Sequence, residues 1–145
     1  MATSSDLALL DTNVLIYSAD TRSAHHETCA KLIDDAAAGF VEACLAPQVL
    51  LEFYAVVTRS GAVARPRTSG EAAAEVEKYA QTFRIISPPN DLAGRVISLV
   101  RQTAVAGPAV FDVALASTML ANDVSRIYTY DQGFSRIPGI TVLTP

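Results

Sequence analysis

The sequence predicts an α/β fold, a three-layer α/β/α sandwich whose mostly parallel central sheet has about five strands. Short apolar segments that suit strands alternate with longer segments that suit helices along the chain. This alternation is typical of a parallel sheet covered by helices on both faces. Half of the 145 residues are hydrophobic, which is enough for one buried core. We therefore expect a single domain over residues 1–145.

The first strand and the first two helices are predicted from an apolar run and from residues that begin or end helices. Residues 7–10 (LALL) are all apolar, as in a buried strand, and Thr12 or Asn13 can cap the helix that follows. Ser23 is a suitable cap for a second helix, and Gly39 is a suitable end for it. The chain is therefore expected to begin as strand, helix, helix.

The middle of the chain predicts two further strands and two helices. Residues 40–46 alternate enough to form a second strand, and Pro47 can open a helix that Gly61 closes. A helix over about residues 69–82 follows, and the segment FRIIS after it suits a third strand.

The last third of the chain predicts two helices and two strands. Asp91 can cap the segment LAGRVISLVRQTA, whose apolar residues lie three and four positions apart, and Gly107 with Pro108 ends that helix. The segment AVFDVALASTMLAND is so apolar that we expect a helix buried on most sides. RIYTY and ITVLT are the fourth and fifth strands.

Composition and charge exclude some classes of protein and leave others open. The longest apolar stretch, around residues 43–57, is interrupted by proline, glutamine and glutamate, and no charged leader precedes an apolar segment. We therefore expect a soluble cytoplasmic protein without a membrane span. Cys29 and Cys44 fit no metal-binding pattern. The net charge of −4 does not exclude a nucleic-acid partner, because acids that hold cations would not repel phosphates.

Four acidic residues interrupt apolar segments, where a carboxylate is costly unless something neutralises it. Asp11 and Asp131 follow predicted strands, and in open parallel sheets the carboxyl ends of strands face the ligand crevice. Glu52 and Asp112 lie in the first turns of helices that begin after prolines. Four carboxylates that converge without basic partners need a hard cation such as Mg²⁺ or Mn²⁺.

Carboxylate-bound cations can ionise a water and stabilise the charge that develops on a phosphate, so this pattern favours phosphodiester hydrolysis. Thr12, Asn13 and Thr129 lie beside the acids, where their polar groups can orient a carboxylate, a water or a phosphate oxygen. Helix capping is the alternative role for Thr12 and Asn13, and strand propensity is the alternative for Thr129.

Four segments together resemble the PIN-domain nucleases and, among them, the VapC toxins of bacterial toxin–antitoxin pairs. The segments are LLDTNVLIY with Asp11, LLEF with Glu52, FDVALAS with Asp112, and IYTYDQGFSRIPGITVLTP with Asp131. The resemblance covers residues 7–145 and implies a PIN-like fold with Mg²⁺- or Mn²⁺-dependent endoribonuclease activity. It also implies that the four acids are catalytic metal ligands, that a VapB-like antitoxin inhibits the protein, and that the protein forms a homodimer.

Four arginines are candidates for contact with the RNA backbone. Arg59, Arg65 and Arg67 cluster around the segment RSGAVARPR, and Arg22 lies just beyond the first strand–helix unit. A basic loop beside an acidic cleft can hold phosphates or an acidic partner, although a solvated loop explains the same residues.

Two other functions remain open from the sequence. A phosphatase of the aspartyl-phosphate type also has an aspartate after its first strand, but it needs a second aspartate two residues later, where this chain has Asn13. A catalytically silent PIN-fold module that binds RNA or protein is the other alternative, although loss of one of the acids is the usual sign of it. Neither the RNA target nor the number of metal ions follows from the residues.

Overall fold

The computed structural model describes residues 6–145, and a five-stranded parallel sheet lies at its centre. The strands are β1 (Ala8–Leu10), β2 (Ala43–Leu45), β3 (Arg84–Ile85), β4 (Arg126–Tyr128) and β5 (Thr141–Leu143). Their order across the sheet is β3-β2-β1-β4-β5, and all four pairings are parallel. The predicted parallel five-stranded sheet is confirmed, although each strand is shorter than the segment that predicted it.

Six helices cover the sheet: α1 (Thr12–Ala19), α2 (His26–Ala37), α3 (Pro47–Val57), α4 (Ser69–Thr82), α5 (Leu92–Thr103) and α6 (Val110–Ala121). The helices α1 to α4 pack against one another, and α5 packs against α6. Because parallel crossovers are right-handed, the connections that run outward from β1 to β3 and the one that returns to β4 cover opposite faces. The three-layer α/β/α sandwich is therefore confirmed.

The core lies on both faces of the central strands. All three residues of β1 are buried, and so are Leu45 of β2 and Ile127 of β4. Half of the residues of α6 are buried and only Phe111 is exposed, in line with the apolar sequence of this helix. Central strands of a parallel sheet lose solvent on both faces, which explains why these segments are continuously apolar.

Two helix starts differ from the prediction. Asp11, and not Thr12 or Asn13, caps α1, because its Oδ1 accepts a hydrogen bond of 2.7 Å from the backbone N–H of Thr12. The second helix begins at His26, later than predicted, because the Ser23 hydroxyl accepts a hydrogen bond from the backbone N–H of His25. That local bond stabilises a turn at the point where the sequence predicts a cap.

Two other segments are shorter than predicted. The second strand begins at Ala43, because Gly39 turns the chain with φ of +86° and Phe40 is 84% exposed. The third helix begins at Pro47 as predicted but ends at Val57, before Gly61.

The order of the strands creates a crevice above β1. From β1 the chain builds the sheet outward to β2 and β3, and then returns to place β4 on the other side of β1. The segments that follow β1 and β4 therefore diverge at the carboxyl edge, where open parallel sheets bind ligands. Asp11 follows β1 directly, and Asp131 lies shortly after β4.

Candidate active site at the carboxyl edge of the sheet

Asp11 is the best-held carboxylate of the site. It is 7% exposed, and both of its oxygens accept short hydrogen bonds: Oδ1 from the backbone N–H of Thr12 and Oδ2 from the Thr129 hydroxyl, each at 2.7 Å. Burial raises the pKa of Asp11, the hydrogen bonds from Thr129 and Thr12 lower it, and nearby Glu52 and Asp131 raise it; the net shift is upward.

Thr129 and Asn13 tie the ends of β1 and β4 together. Thr129 is fully buried, and its hydroxyl oxygen accepts hydrogen bonds from the Asn13 amide at 3.0 Å and from the backbone N–H of Asp131 at 2.9 Å. The Asn13 carbonyl oxygen accepts a bond from the backbone N–H of Tyr130 at 3.4 Å. The loop that carries Asp131 is therefore fixed to the residues that hold Asp11.

Glu52 enters the crevice from α3. The Thr12 hydroxyl donates a hydrogen bond of 2.8 Å to Glu52 Oε2, and the Gln48 amide donates one of 3.1 Å to Oε1. The same Gln48 nitrogen donates a bond of 3.1 Å to the backbone carbonyl of Phe111, one residue before Asp112. Gln48 thus joins the start of α3 to the start of α6.

Asp112 projects from the first turn of α6 and is half-buried. Among residues 6–145, no side chain or backbone group donates a hydrogen bond to its carboxylate. Burial raises the pKa of Asp112 from 3.8 to about 6, and the negative charges of Asp131, Asp11 and Glu52 add to that rise. All four predicted acids therefore lie close enough for their charges to interact.

Within residues 6–145, no cationic side chain forms an ion pair with these four carboxylates. The ion pairs formed within residues 6–145 involve other acids, and none of them includes Asp11, Glu52, Asp112 or Asp131. As the side chains stand, no three His, Cys, Asp or Glu residues in this part of the chain are close enough to hold a metal ion. The donor set, carboxylate oxygen throughout, nevertheless fits a hard divalent cation.

The four candidate arginines lie in different surroundings. Arg67 is 8% exposed at its side chain and donates to Glu75 at 3.1 Å and to the Ala19 carbonyl at 3.0 Å, so its guanidinium stabilises the loop before α4. Arg65 pairs with Glu71 at the surface. Arg22 and Arg59 are exposed and form no ion pair within the described residues. The guanidinium of Arg67 is thus engaged within the chain, whereas Arg22, Arg59 and Arg65 are exposed. Contact with RNA stays a prediction for all four arginines.

Sequence reasoning missed Gln48, Tyr130 and Phe111. Gln48 lies one helical turn before Glu52, a spacing at which side chains on a helix meet, so it could have been found as a partner of that acid. Tyr130 lies between Thr129 and Asp131, and Phe111 precedes Asp112 with a ring that is 61% exposed. Both aromatics lie in segments whose apolar pattern indicates only a strand and a core helix.

A cavity of about 370 Å³ lies elsewhere, between α2 and α4, and is lined in part by Arg67, Glu75 and Tyr79. None of the four carboxylates lines it. The carboxylates lie together at the carboxyl edge of the sheet, so we take that cluster as the candidate active site. Within residues 6–145, no helix combines the length and the apolar character needed to cross a bilayer.

Comparison with known proteins gives one family and a consistent set of structures. Residues 8–140 match the PIN domain family. Ribonuclease VapC37 of Mycobacterium tuberculosis is 26% identical over 136 residues, which covers 92% of this chain and 94% of that protein. The crystal structure of Mycobacterium tuberculosis VapC20, a sarcin-ricin loop cleaving toxin, superposes with a TM-score of 0.70 at 16% identity, covering 96% of this chain and 99% of that one. DNA-bound VapBC from Salmonella typhimurium gives a TM-score of 0.64 at 20% identity, covering 96% and 97% of the two chains.

Proposed function

Because the chain belongs to the PIN domain family, we propose that it is a metal-dependent endoribonuclease that hydrolyses RNA phosphodiester bonds. One observation carries the proposal. Four carboxylates, from the residue after β1, from α3, from α6 and from the segment after β4, lie close enough to interact electrostatically at a single crevice, and no cation of the described residues pairs with them. Such a cluster destabilises the protein unless a cation from solution compensates it.

The ligands we propose for the cation are Asp11, Glu52, Asp112 and Asp131, and the cation that suits oxygen ligands best is Mg²⁺ or Mn²⁺. When bound, the cation supplies an activated water and neutralises negative charge on the phosphate. Thr129 and the backbone N–H of Thr12 donate to the two oxygens of Asp11 and hold this carboxylate in one orientation. The Thr12 hydroxyl and Gln48 hold the Glu52 carboxylate in the same way.

The remaining proposals follow from the relatives. VapBC complexes are among the similar solved structures, so we propose a VapB-like antitoxin as the partner that inhibits this chain. We also propose that it forms a homodimer, for which the exposed apolar side chains of Leu51, Ile97 and Phe111 offer contact area. RNA as the substrate favours a cytoplasmic location. One sheet and one core support the proposal that residues 1–145 act as a single nuclease domain.

The phosphatase alternative lacks support in the structure. An aspartyl-phosphate mechanism needs a proton-transferring acid at position 13, but the Asn13 amide there donates to Thr129 and its carbonyl oxygen accepts from Tyr130. These bonds hold the loop after β4 in place. A silent binding module would not need four carboxylates that destabilise one another, and a cleavage assay separates it from an enzyme.

The first experiment is cleavage of total cellular RNA by the purified protein with EDTA, Mg²⁺ or Mn²⁺. The Asp11→Asn variant is the test, and Asp123→Asn is the matched control. Asp123 is exposed, lies before β4 and has φ of +59°, a conformation that asparagine adopts equally well. We expect discrete products that need a divalent cation, persist in Asp123→Asn and vanish in Asp11→Asn. Intact RNA from folded wild-type protein in every condition would contradict the proposal.

A further inference from the structure

We propose that Tyr17, His25 and Tyr130 form a stacking platform for an unpaired base of the RNA strand, beside the four carboxylates. The inference rests on the ribonuclease function proposed above and names the part of the substrate that this side of the crevice binds. The three residues are called the aromatic platform below.

The rings of the aromatic platform lie against one another. The His25 imidazole stacks on the Tyr130 ring, with centroids 4.0 Å apart and planes inclined by 25°. Tyr17 contacts both rings, at centroid distances of 5.2 Å to His25 and 5.6 Å to Tyr130. The Tyr130 hydroxyl lies 3.8 Å from the sulfur of buried Cys29, which anchors the ring to α2. The Tyr130 ring, on which His25 stacks, is therefore held in place.

The platform borders the carboxylate cluster. Tyr130 is flanked in sequence by Thr129, which donates to Asp11, and by Asp131. Its backbone N–H bonds to Asn13, and Tyr17 lies one helical turn beyond Asn13 on α1. Two of the three platform residues therefore lie next to residues that hold the carboxylates, on the segment after β4 and on α1.

His25 has no other structural task that accounts for its position. It occupies the residue before α2, but its side chain makes no capping hydrogen bond. Within residues 6–145, neither of its ring nitrogens bonds to another group, whereas a ring nitrogen of His26 lies 3.1 Å from the Tyr17 carbonyl. An exposed imidazole without hydrogen bonds keeps the most rotamer freedom when it extends into solvent. The His25 ring instead lies flat on the ring of Tyr130. The ring is held between two tyrosines' contacts and is nevertheless exposed, so part of its surface remains for a ligand.

A nucleobase fits this surface better than a phosphate does. None of the platform residues is Lys or Arg, and the adjoining carboxylates repel anions. Unpaired bases of RNA are neutral and stack on aromatic and histidine rings, and this kind of contact tolerates any base. The platform therefore favours a single-stranded or looped RNA at the cleavage site, with the base next to the scissile phosphate turned out of its own stack.

The test measures binding of short single-stranded oligoribonucleotides to a non-cleaving Asp112→Asn background in Mg²⁺. The fluorescent base 2-aminopurine, placed at one position at a time, reports stacking by quenching. We expect strong quenching at one position, and a Kd that is about fivefold or more weaker in His25→Ala. His25→Phe keeps a ring without charge or hydrogen bonds, so it should bind as the parent protein does at every pH.

Two controls make the test specific to stacking. Phe40→Ala removes another exposed aromatic ring, one that precedes β2 at the opposite edge of the sheet, and should leave the Kd unchanged. An abasic nucleotide at the quenched position should abolish the difference between His25 and His25→Ala, because no base remains to stack. Equal binding by His25→Ala, or a loss in His25→Phe as large as in His25→Ala, would overturn the inference.

Failure of the inference differs from failure of the proposed function. Suppose that wild-type protein cleaves RNA, but that removing the base and replacing His25 by alanine have additive effects on Kd. Only the platform is then refuted, and the ribonuclease proposal stands. If wild-type protein neither cleaves nor binds RNA, the ribonuclease proposal fails and the platform fails with it.

Discussion

The carboxylate cluster and the Arg67–Glu75 pair both place charge against apolar helices, but only the second is balanced within the chain. Arg67 is nearly buried, and its guanidinium bonds to Glu75, to the Ala19 carbonyl and to the Arg65 carbonyl. The cluster at the carboxyl edge has four negative groups, and among the described residues hydroxyls and amides are the only donors that reach them.

The difference separates a charge that the chain balances itself from charges for which we propose a cation as the partner. Each nitrogen of the Arg67 guanidinium donates within the chain and so holds the loop before α4 in place, although one carboxylate oxygen of Glu75 is buried without a hydrogen-bond partner among the described residues. A group of like charges lowers the stability of the fold that carries it, so it is retained for what it binds. Four measurements test this contrast, from the largest expected effect to the smallest.

Replacement of Asp112 by asparagine should separate activity from stability most strongly. Loss of a residue that only supports a metal ligand lowers activity by up to about 100-fold. Because Asp112 is itself a proposed ligand, we expect the cleavage rate to fall by more than that. The metal-free variant should nevertheless melt at a higher temperature than wild type, since one of four repelling charges is gone. Cleavage rates and thermal melts in EDTA measure the two effects. An active variant would remove Asp112 from the site.

Replacement of Arg67 by methionine should have the opposite profile. It leaves Glu75 charged and poorly solvated, so we expect a loss of about 3 kcal/mol in the free energy of unfolding, measured with urea. The double variant Arg67→Met/Glu75→Leu should recover most of that loss. Arg65→Ala, which breaks the exposed pair with Glu71, should cost less than about 1 kcal/mol and is the control. If Arg65→Ala lost as much free energy of unfolding as Arg67→Met, the prediction that the inward-facing pair matters more than the exposed pair would be wrong.

A divalent cation should stabilise the wild-type protein through the carboxylate cluster. At a concentration 100 times its Kd, Mg²⁺ or Mn²⁺ adds about 2.7 kcal/mol to the free energy of unfolding. NaCl at equal ionic strength is the control for screening, and Asp112→Asn should respond more weakly than wild type. A shift in melting temperature that NaCl reproduces would show screening in place of coordination.

The pH dependence of stability in EDTA should reveal the cluster in its repelling state. The folded protein holds the pKa of Asp112 at about 6, above the ordinary 3.8, so folding favours the neutral acid. The free energy of unfolding should therefore fall as the pH rises from 3.8 to about 6 and change little from this group above that range. Asp112→Asn should flatten the profile. Urea midpoints across this range measure it, and a wild-type profile parallel to that of the variant would contradict the prediction.

The sequence is sufficient to identify the acids and insufficient to identify their neighbours, for a physical reason. A carboxylate inside an apolar segment is visible locally, so the sequence alone indicates Asp11, Glu52, Asp112 and Asp131. The role of Arg67 depends on the Ala19 carbonyl and on Glu75, which come from other elements, and no local pattern indicates those contacts. The order of strands and helices is predictable because periodicity and breakers encode it.

Helix starts are less predictable, because competing local bonds decide them. Ser23 has the chemistry of a cap, yet its hydroxyl stabilises the turn before α2 instead. Asp11 is recognisable as a site residue, but its second role as the cap of α1 depends on a hydrogen bond that the sequence does not reveal. One side chain can thus serve the backbone and the site together, and a search by motif assigns it only one of the two tasks.

Gln48 donates from one amide nitrogen both to Glu52 and to the backbone carbonyl of Phe111. Its two acceptors belong to α3 and α6, which come from opposite layers of the sandwich. A change in the orientation of Glu52 therefore alters the link that spans the sheet, and a shift between the layers alters Glu52 in return. The Gln48 amide thereby couples the orientation of one carboxylate to the separation of the two helix layers at the carboxyl edge of the sheet.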